Sequence, residues 1–112
     1  MKNLVSILKS LSDETRLRII NLLYEQELCV CDIMVTLNIS QTKASRHLQY
    51  LKNAGLVEDR KHAQWVYYSI VRSDETKFID TLVYDNLRCV QQFKFDLNNL
   101  KEWFTRKNIT CE

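Results

Sequence analysis

Asn38-Ile39-Ser40-Gln41-Thr42-Lys43-Ala44-Ser45-Arg46-His47-Leu48-Gln49-Tyr50-Leu51-Lys52-Asn53-Ala54-Gly55 is the stretch on which the fold turns. The Ser40 hydroxyl can accept a hydrogen bond from a backbone N–H in the first turn of a helix, and Gly55 can take the left-handed conformation that ends one. Between them Ala44, Leu48 and Leu51 recur at spacings of four and three, so they share one helix face and point to a core. Gln41, Thr42, Lys43, Ser45, Arg46 and Gln49 are left facing outward. From Ser40 to Val57 the chain carries Lys43, Arg46 and Lys52 and no acid, whereas residues 1–40 carry five acids against four bases. A basic patch on a chain whose net charge is only +2 suggests a phosphate-bearing partner.

Working upstream, Asn38-Ile39-Ser40 reads as a tight connection, and Leu28 to Leu37 as a short helix with Asp32 near its start. Before it, Ser12-Asp13-Glu14-Thr15 opens another helix, with Ser12 as its cap and two acids where the helix dipole favours them. Leu17, Ile20, Leu23 and Tyr24 give that helix its buried face, Arg16 and Arg18 turn outward, and Glu25-Gln26-Glu27 closes it. A first helix spans about Lys2 to Ser10, with Leu4, Val5, Ile7, Leu8 and Leu11 forming a broad apolar face.

Downstream of Gly55 the period changes. Leu56 to Arg60 and Trp65 to Ile70 read as two strands, joined by Lys61-His62-Ala63-Gln64 as a polar hairpin tip. Ser73-Asp74-Glu75-Thr76 repeats the tetrapeptide of position 12 and starts a long helix over about 74–104. Its apolar positions are Ile79, Leu82, Val83, Leu87, Val90, Phe93, Leu97 and Leu100, extended by Trp103 and Phe104. A polar tail, 105–112, follows.

The order helix, helix, short helix, turn, helix, hairpin, long helix predicts a mainly α chain with a small β-hairpin, a winged helix-turn-helix, over 1–112 as one domain. So small a domain buries a modest core, and the apolar terminal helices, about 2–10 and 74–104, call for a second copy: a homodimer joined through them. In such a fold the helix after the turn enters the major groove of double-stranded operator DNA. Gln41 suits adenine, Lys43 and Arg46 suit guanine, and Thr42 and Ser45 reach bases or phosphates. His47 is grouped with this DNA-facing set, as a DNA-surface or packing residue, and so is His62. Arg60, Lys61, His62 and Gln64, at the hairpin, are expected on the phosphate backbone or in the neighbouring minor groove, while Trp65 and Tyr67 pack the wing.

Other classes fit poorly. A hydrophobic share of 46% is that of a globular chain. No run approaches the roughly eighteen apolar residues of a membrane span. The amphipathic start has no cleavage-like site, which leads us to expect a cytoplasmic protein with reduced thiols. Two His, no Gly-rich phosphate loop and no Ser-His-Asp grouping leave nothing to build an enzyme from.

Leu11 to Ile20, Glu27-Leu28-Cys29-Val30-Cys31-Asp32, Ser40-Gln41 through Ser45-Arg46-His47-Leu48, Leu51-Lys52 with Ala54-Gly55-Leu56-Val57, and Trp65-Val66-Tyr67-Tyr68 together resemble the ArsR/SmtB family of metal-responsive repressors. The likeness covers roughly residues 4–71. The Glu-Leu-Cys-Val-Cys-Asp box is similar to that of the arsenite sensors and of their cadmium- and lead-sensing relatives. It implies a dimeric winged-helix repressor that holds its operator when empty and lets go on binding a thiophilic ion, with arsenite or antimonite as inducer. Vicinal thiolates do select soft ions. Residues at i and i+2 do not face each other on a regular helix, so Cys29 and Cys31 could clamp one ion only by distorting the helix that supports the DNA-reading one.

The chain departs from the family pattern in three ways. Where the arsenite sensors carry a third Cys, three residues after the second, this chain has Met34. Residues 1–28 hold no Cys of the kind the cadmium/lead sensors use, and residues 74–104 hold no His for the zinc site of other members. Either two thiolates serve arsenite alone, or Cys89 or Cys111, of the same or the other subunit, supplies a third. The alternatives are a thiol or persulfide sensor pairing Cys29 or Cys31 with Cys89, and a cadmium/lead-responsive repressor.

Overall fold

A computed structural model describes the backbone of residues 2–110 and the side chains of residues 4–107; Cys111, a candidate ligand, lies outside the described residues. The elements run α1 (Lys2–Leu11), α2 (Glu14–Leu23), β1 (Leu28–Cys29), α3 (Val30–Leu37), α4 (Gln41–Asn53), β2 (Val57–His62), β3 (Trp65–Ile70), α5 (Lys77–Thr81) and α6 (Gln91–Thr110). This is the winged helix-turn-helix expected. Ile19, Ile20 and Leu22 of α2, Ile33 of α3, and Ala44, Leu48 and Leu51 of α4 are wholly buried between the helices. The turn between α3 and α4 is set by Asn38, which adopts the left-handed conformation (φ 56°). Ser40 caps α4 by accepting the Lys43 N–H at 3.1 Å, and Gly55 follows at φ 81°. A side chain there would be strained, which is why glycine suits the stop.

Several local details differ from the sequence reading. Asp13, not Ser12, caps α2, accepting the Arg16 N–H at 3.0 Å; the Ser12 hydroxyl turns back to the Lys9 carbonyl. Arg16 and Arg18 do not face solvent. Arg16 donates from Nε to the Ser10 carbonyl at 2.6 Å and lies over the Tyr50 ring. Arg18 forks the fully buried Asp96 of α6 at 2.8 and 2.9 Å. Leu28 and Cys29 do not begin the third helix. They form a third strand whose partners are Tyr68 and Tyr67, giving an antiparallel sheet ordered β1-β3-β2. The hairpin strands run to His62 and from Trp65, so the turn is only Ala63-Gln64, with Ala63 at positive φ.

The long C-terminal helix is broken. A 3₁₀ turn (Asp74–Thr76) leads into α5, a wide π turn follows over Leu82–Asn86, and another 3₁₀ turn covers Leu87–Cys89. Val90 then takes an extended conformation (φ −84°, ψ 131°), and α6 starts afresh at Gln91. Leu87 and Phe93 are buried on either side while Val90 is exposed, so the apolar face resumes out of step. Among the described residues no helix is long and apolar enough to cross a membrane.

Candidate functional site

Two features stand side by side: the outer face of α4 and the thiols at the start of α3. On α4, Gln41, Thr42, Lys43, Ser45 and Arg46 are all exposed, because Ala44, Leu48 and Leu51 occupy the inner face. His47 is not among them. It shares the inward face, is 9% exposed, accepts a hydrogen bond at Nδ1 from the Arg16 guanidinium at 3.2 Å, and sits 3.7 Å from Asp13. Burial first, and then the cations of Arg16, Arg46 and Lys43 against the opposing pull of Asp13, hold its imidazole below the usual histidine range. Of the two roles read for His47, DNA surface or packing, its burial and its bond to Arg16 favour packing, which ties α4 to α2.

The wing divides similarly. Lys61 and His62 are exposed beside the turn. Arg60 sits mid-strand opposite Tyr67, donates to both carboxylate oxygens of Glu27 at 2.7 Å, and lies over the Tyr67 ring. Sequence reading placed it against phosphate. In the structure this exposed guanidinium pairs with the carboxylate just before β1.

The thiol box is shaped by its capping. Cys29 ends β1 in an extended conformation (φ −92°, ψ 170°) and is the N-cap of α3, while Cys31 is already in the first turn. The Asp32 carboxylate accepts the Cys29 N–H at 3.0 Å, and the Cys29 sulfur faces the Asp32 N–H in return. Cys29 is buried and Cys31 exposed. Burial, and the neighbouring Asp32 charge, push the Cys29 thiol up, with Lys107 drawing it the other way. Because Cys29 stands outside the helix, its sulfur is not fixed by helical geometry relative to Cys31. The obstacle of an i, i+2 pair on a regular helix is thus removed. The two thiols open on a groove of about 410 Å³ that Met34, Trp65 and Gln41 also line. Gln41 is the first residue of the outward-facing helix.

Asp32 was noted in the sequence only as an acid near a helix start, yet it is the most connected polar group at the site. Besides Cys29 it accepts from Trp103 Nε1 at 2.8 Å and from Lys107 Nζ at 2.6 Å, both on α6. The Lys107 ammonium and the Trp103 and Cys29 donors outweigh burial and hold its carboxyl below the ordinary range. No pattern within α3 could have revealed partners more than seventy residues away. Cys89 is exposed at the break before α6, its sulfur toward the Asp85 carbonyl at 3.6 Å. Among the described residues no three His, Cys, Asp or Glu side chains are gathered to hold a metal.

Helices packed about one core, a tight turn before the outward-facing α4 and a three-stranded wing define a winged helix-turn-helix regulator, here with two cysteines at the start of α3. The chain belongs to the arsR family of bacterial regulatory proteins, whose family model matches residues 13–59. It is 51% identical over 67 residues to the arsenical resistance operon repressor of Escherichia coli, covering 59% of this chain and 57% of that one. It thus spans little more than half the length of that relative. Among solved structures, reduced HlyU of Vibrio cholerae superposes with a TM-score of 0.68 at 35% identity, over 80% of this chain and 92% of that one. A homodimeric winged helix-turn-helix DNA-binding domain from Mycobacterium bovis gives 0.67 at 29% identity, over 80% and 86%.

Proposed function

We propose that this chain is a homodimeric repressor that binds double-stranded operator DNA through α4 and the wing and releases it when arsenite or antimonite is held by the thiolates of Cys29 and Cys31. The observation that carries the reading is the shared groove: the two thiols and Gln41, the first residue of α4, line one cavity. Thiolates suit a soft, thiophilic ion. An ion drawing Cys29 toward Cys31 must disturb the cap of α3, and α3 and α4 are joined only by the tight Asn38 turn. The pairing of copies is supported by apolar side chains left exposed on α1 (Leu4, Val5, Leu8) and at the start of α6 (Val90, Phe95), and by the homodimer reported for the M. bovis domain.

The test is fluorescence anisotropy of the reduced protein on its promoter DNA, titrated in parallel with arsenite, cadmium and an organic polysulfide. Release by arsenite is the expected result. Release by polysulfide alone would replace the inducer with a redox signal, a second reading favoured by the exposure of Cys31 and Cys89; release by cadmium alone would make the ion a divalent metal.

Arg46→Ala is expected to weaken binding to the cognate operator by about 1–3 kcal/mol, with a smaller loss on unrelated DNA, if the guanidinium reads a base. Equal losses on both DNAs would assign Arg46 to phosphate instead. The same titrations check this.

A further inference from the structure

Asp32 is only 1% exposed, and one carboxylate serves two parts of the molecule. Its Oδ2 holds the Cys29 backbone at the start of α3. Its Oδ1 holds Trp103 and Lys107 near the end of α6. We propose that Asp32 is a positioning residue through which the state of the Cys29 sulfur is transmitted to the C-terminal half of α6. This rests on the reading of Cys29 and Cys31 as the inducer site and adds a second output to it.

The argument is one of shared partners. In the structure the Cys29 sulfur faces the Asp32 N–H while the Asp32 carboxylate faces the Cys29 N–H, a closed reciprocal pair. An ion shared with the exposed Cys31 takes the Cys29 sulfur out of that pair. The cap then reorganises, and the carboxylate it positions is the one acceptor given to the Trp103 indole N–H. Lys107 is bound at the same oxygen at 2.6 Å. A shift of Asp32 therefore leaves a half-buried indole donor and an ammonium without the acceptor that fixes them. An unmade hydrogen bond at a buried site is costly, so the last turns of α6 must follow or loosen. Sites joined by one bistable element respond to each other reciprocally.

The test uses the full chain in reduced form, with Trp65→Phe as background so that Trp103 is the one fluorescent indole. Asp32→Asn keeps an acceptor for Cys29 but loses the ion pair. Lys107→Met, at a partly exposed position, tests the same link if Asp32→Asn folds poorly, and Lys107→Arg should restore it. Without any ligand, amides of residues 101–107 are expected to exchange about tenfold faster in Lys107→Met and Asp32→Asn than in the parent. Adding arsenite to the parent should accelerate the same amides and shift Trp103 emission. In the two variants arsenite should still give its thiolate absorption band, with no further change in α6 and a loss of DNA affinity smaller by roughly threefold. A role in stability alone would leave that arsenite dependence intact. The proposal is overturned if ligand-free exchange over 101–107 is the same in all the proteins, or if arsenite binds the parent with α6 and Trp103 silent. No thiolate band in the parent would instead strike down the inducer reading, and the ligand-free exchange would still decide whether Asp32 holds α6.

Discussion

Replacing Arg18 with methionine is expected to cost about 3–5 kcal/mol of stability, which is enough to unfold many domains of this size. Arg18 on α2 donates through Nε and Nη2 to the two oxygens of Asp96 on α6, and Asp96 has no exposed surface. Among the described residues the one further donor to that carboxylate is the Gln92 amide at 3.0 Å. Methionine fills much the same space, so the loss is electrostatic: a buried anion is left with a single neutral donor. Urea unfolding followed by circular dichroism, at fixed protein concentration, measures it. The double variant Arg18→Met/Asp96→Leu should regain most of the loss, because removing both partners costs far less than removing one. Arg60→Met is the control. Its bond to Glu27 is as short, at 2.7 Å, but both groups are solvated, so breaking it should leave the urea midpoint essentially where it was. A loss below 1 kcal/mol in Arg18→Met would mean that Asp96 finds water or another cation.

That pair also shows where sequence reading stops. Helical period correctly put Leu17, Ile20 and Leu23 inward, and it put Arg18 outward because arginine usually lies there. Nothing local distinguishes an arginine in water from one whose carboxylate is 78 residues ahead. The elements fixed by short-range chemistry were legible: the Ser40 cap, the Gly55 stop and the two strands of the wing. Those fixed by a distant partner were not. Leu28–Cys29 is a strand only because β3 offers it a free edge, and within Leu-Cys-Val-Cys a run of apolar residues reads equally well as a helix. The break at Val90 was hidden because Leu87, Val90 and Phe93 keep a spacing of three, which mimics a continuous helix even though Val90 is exposed. At the candidate site, the residues of α4 and the two thiols could be named from the sequence. The inward turn of His47, the engagement of Arg60 by Glu27, and the part of Asp32 could not, since each depends on what packs opposite.

The positions of the two thiols make the second large effect specific. Cys29→Ser and Cys31→Ser are each expected to abolish release of DNA by arsenite while leaving DNA affinity within about twofold of the parent. Coupling between two sites is typically about 1–3 kcal/mol, so the parent should lose roughly 5- to 150-fold in affinity on saturation, and the variants nothing. Folding should survive both changes. Serine at 29 is a favourable N-cap whose oxygen can accept the Asp32 N–H in place of sulfur. Cys31 is exposed, so its replacement disturbs no core. What a hydroxyl does not supply is the soft anionic donor that a trivalent arsenic centre prefers. Cys89→Ser separates the competing inducers. With the Cys29–Cys31 dithiol as the arsenite site, the arsenite response persists in it. If release depends on a disulfide or polysulfide between the box and Cys89, then Cys89→Ser is silent to polysulfide, and arsenite should not release the parent. Anisotropy on the promoter, run on the three variants with each ligand, reads these outcomes directly. Arsenite release retained in both Cys29→Ser and Cys31→Ser would make the box a structural cap of α3 and move the inducer site elsewhere.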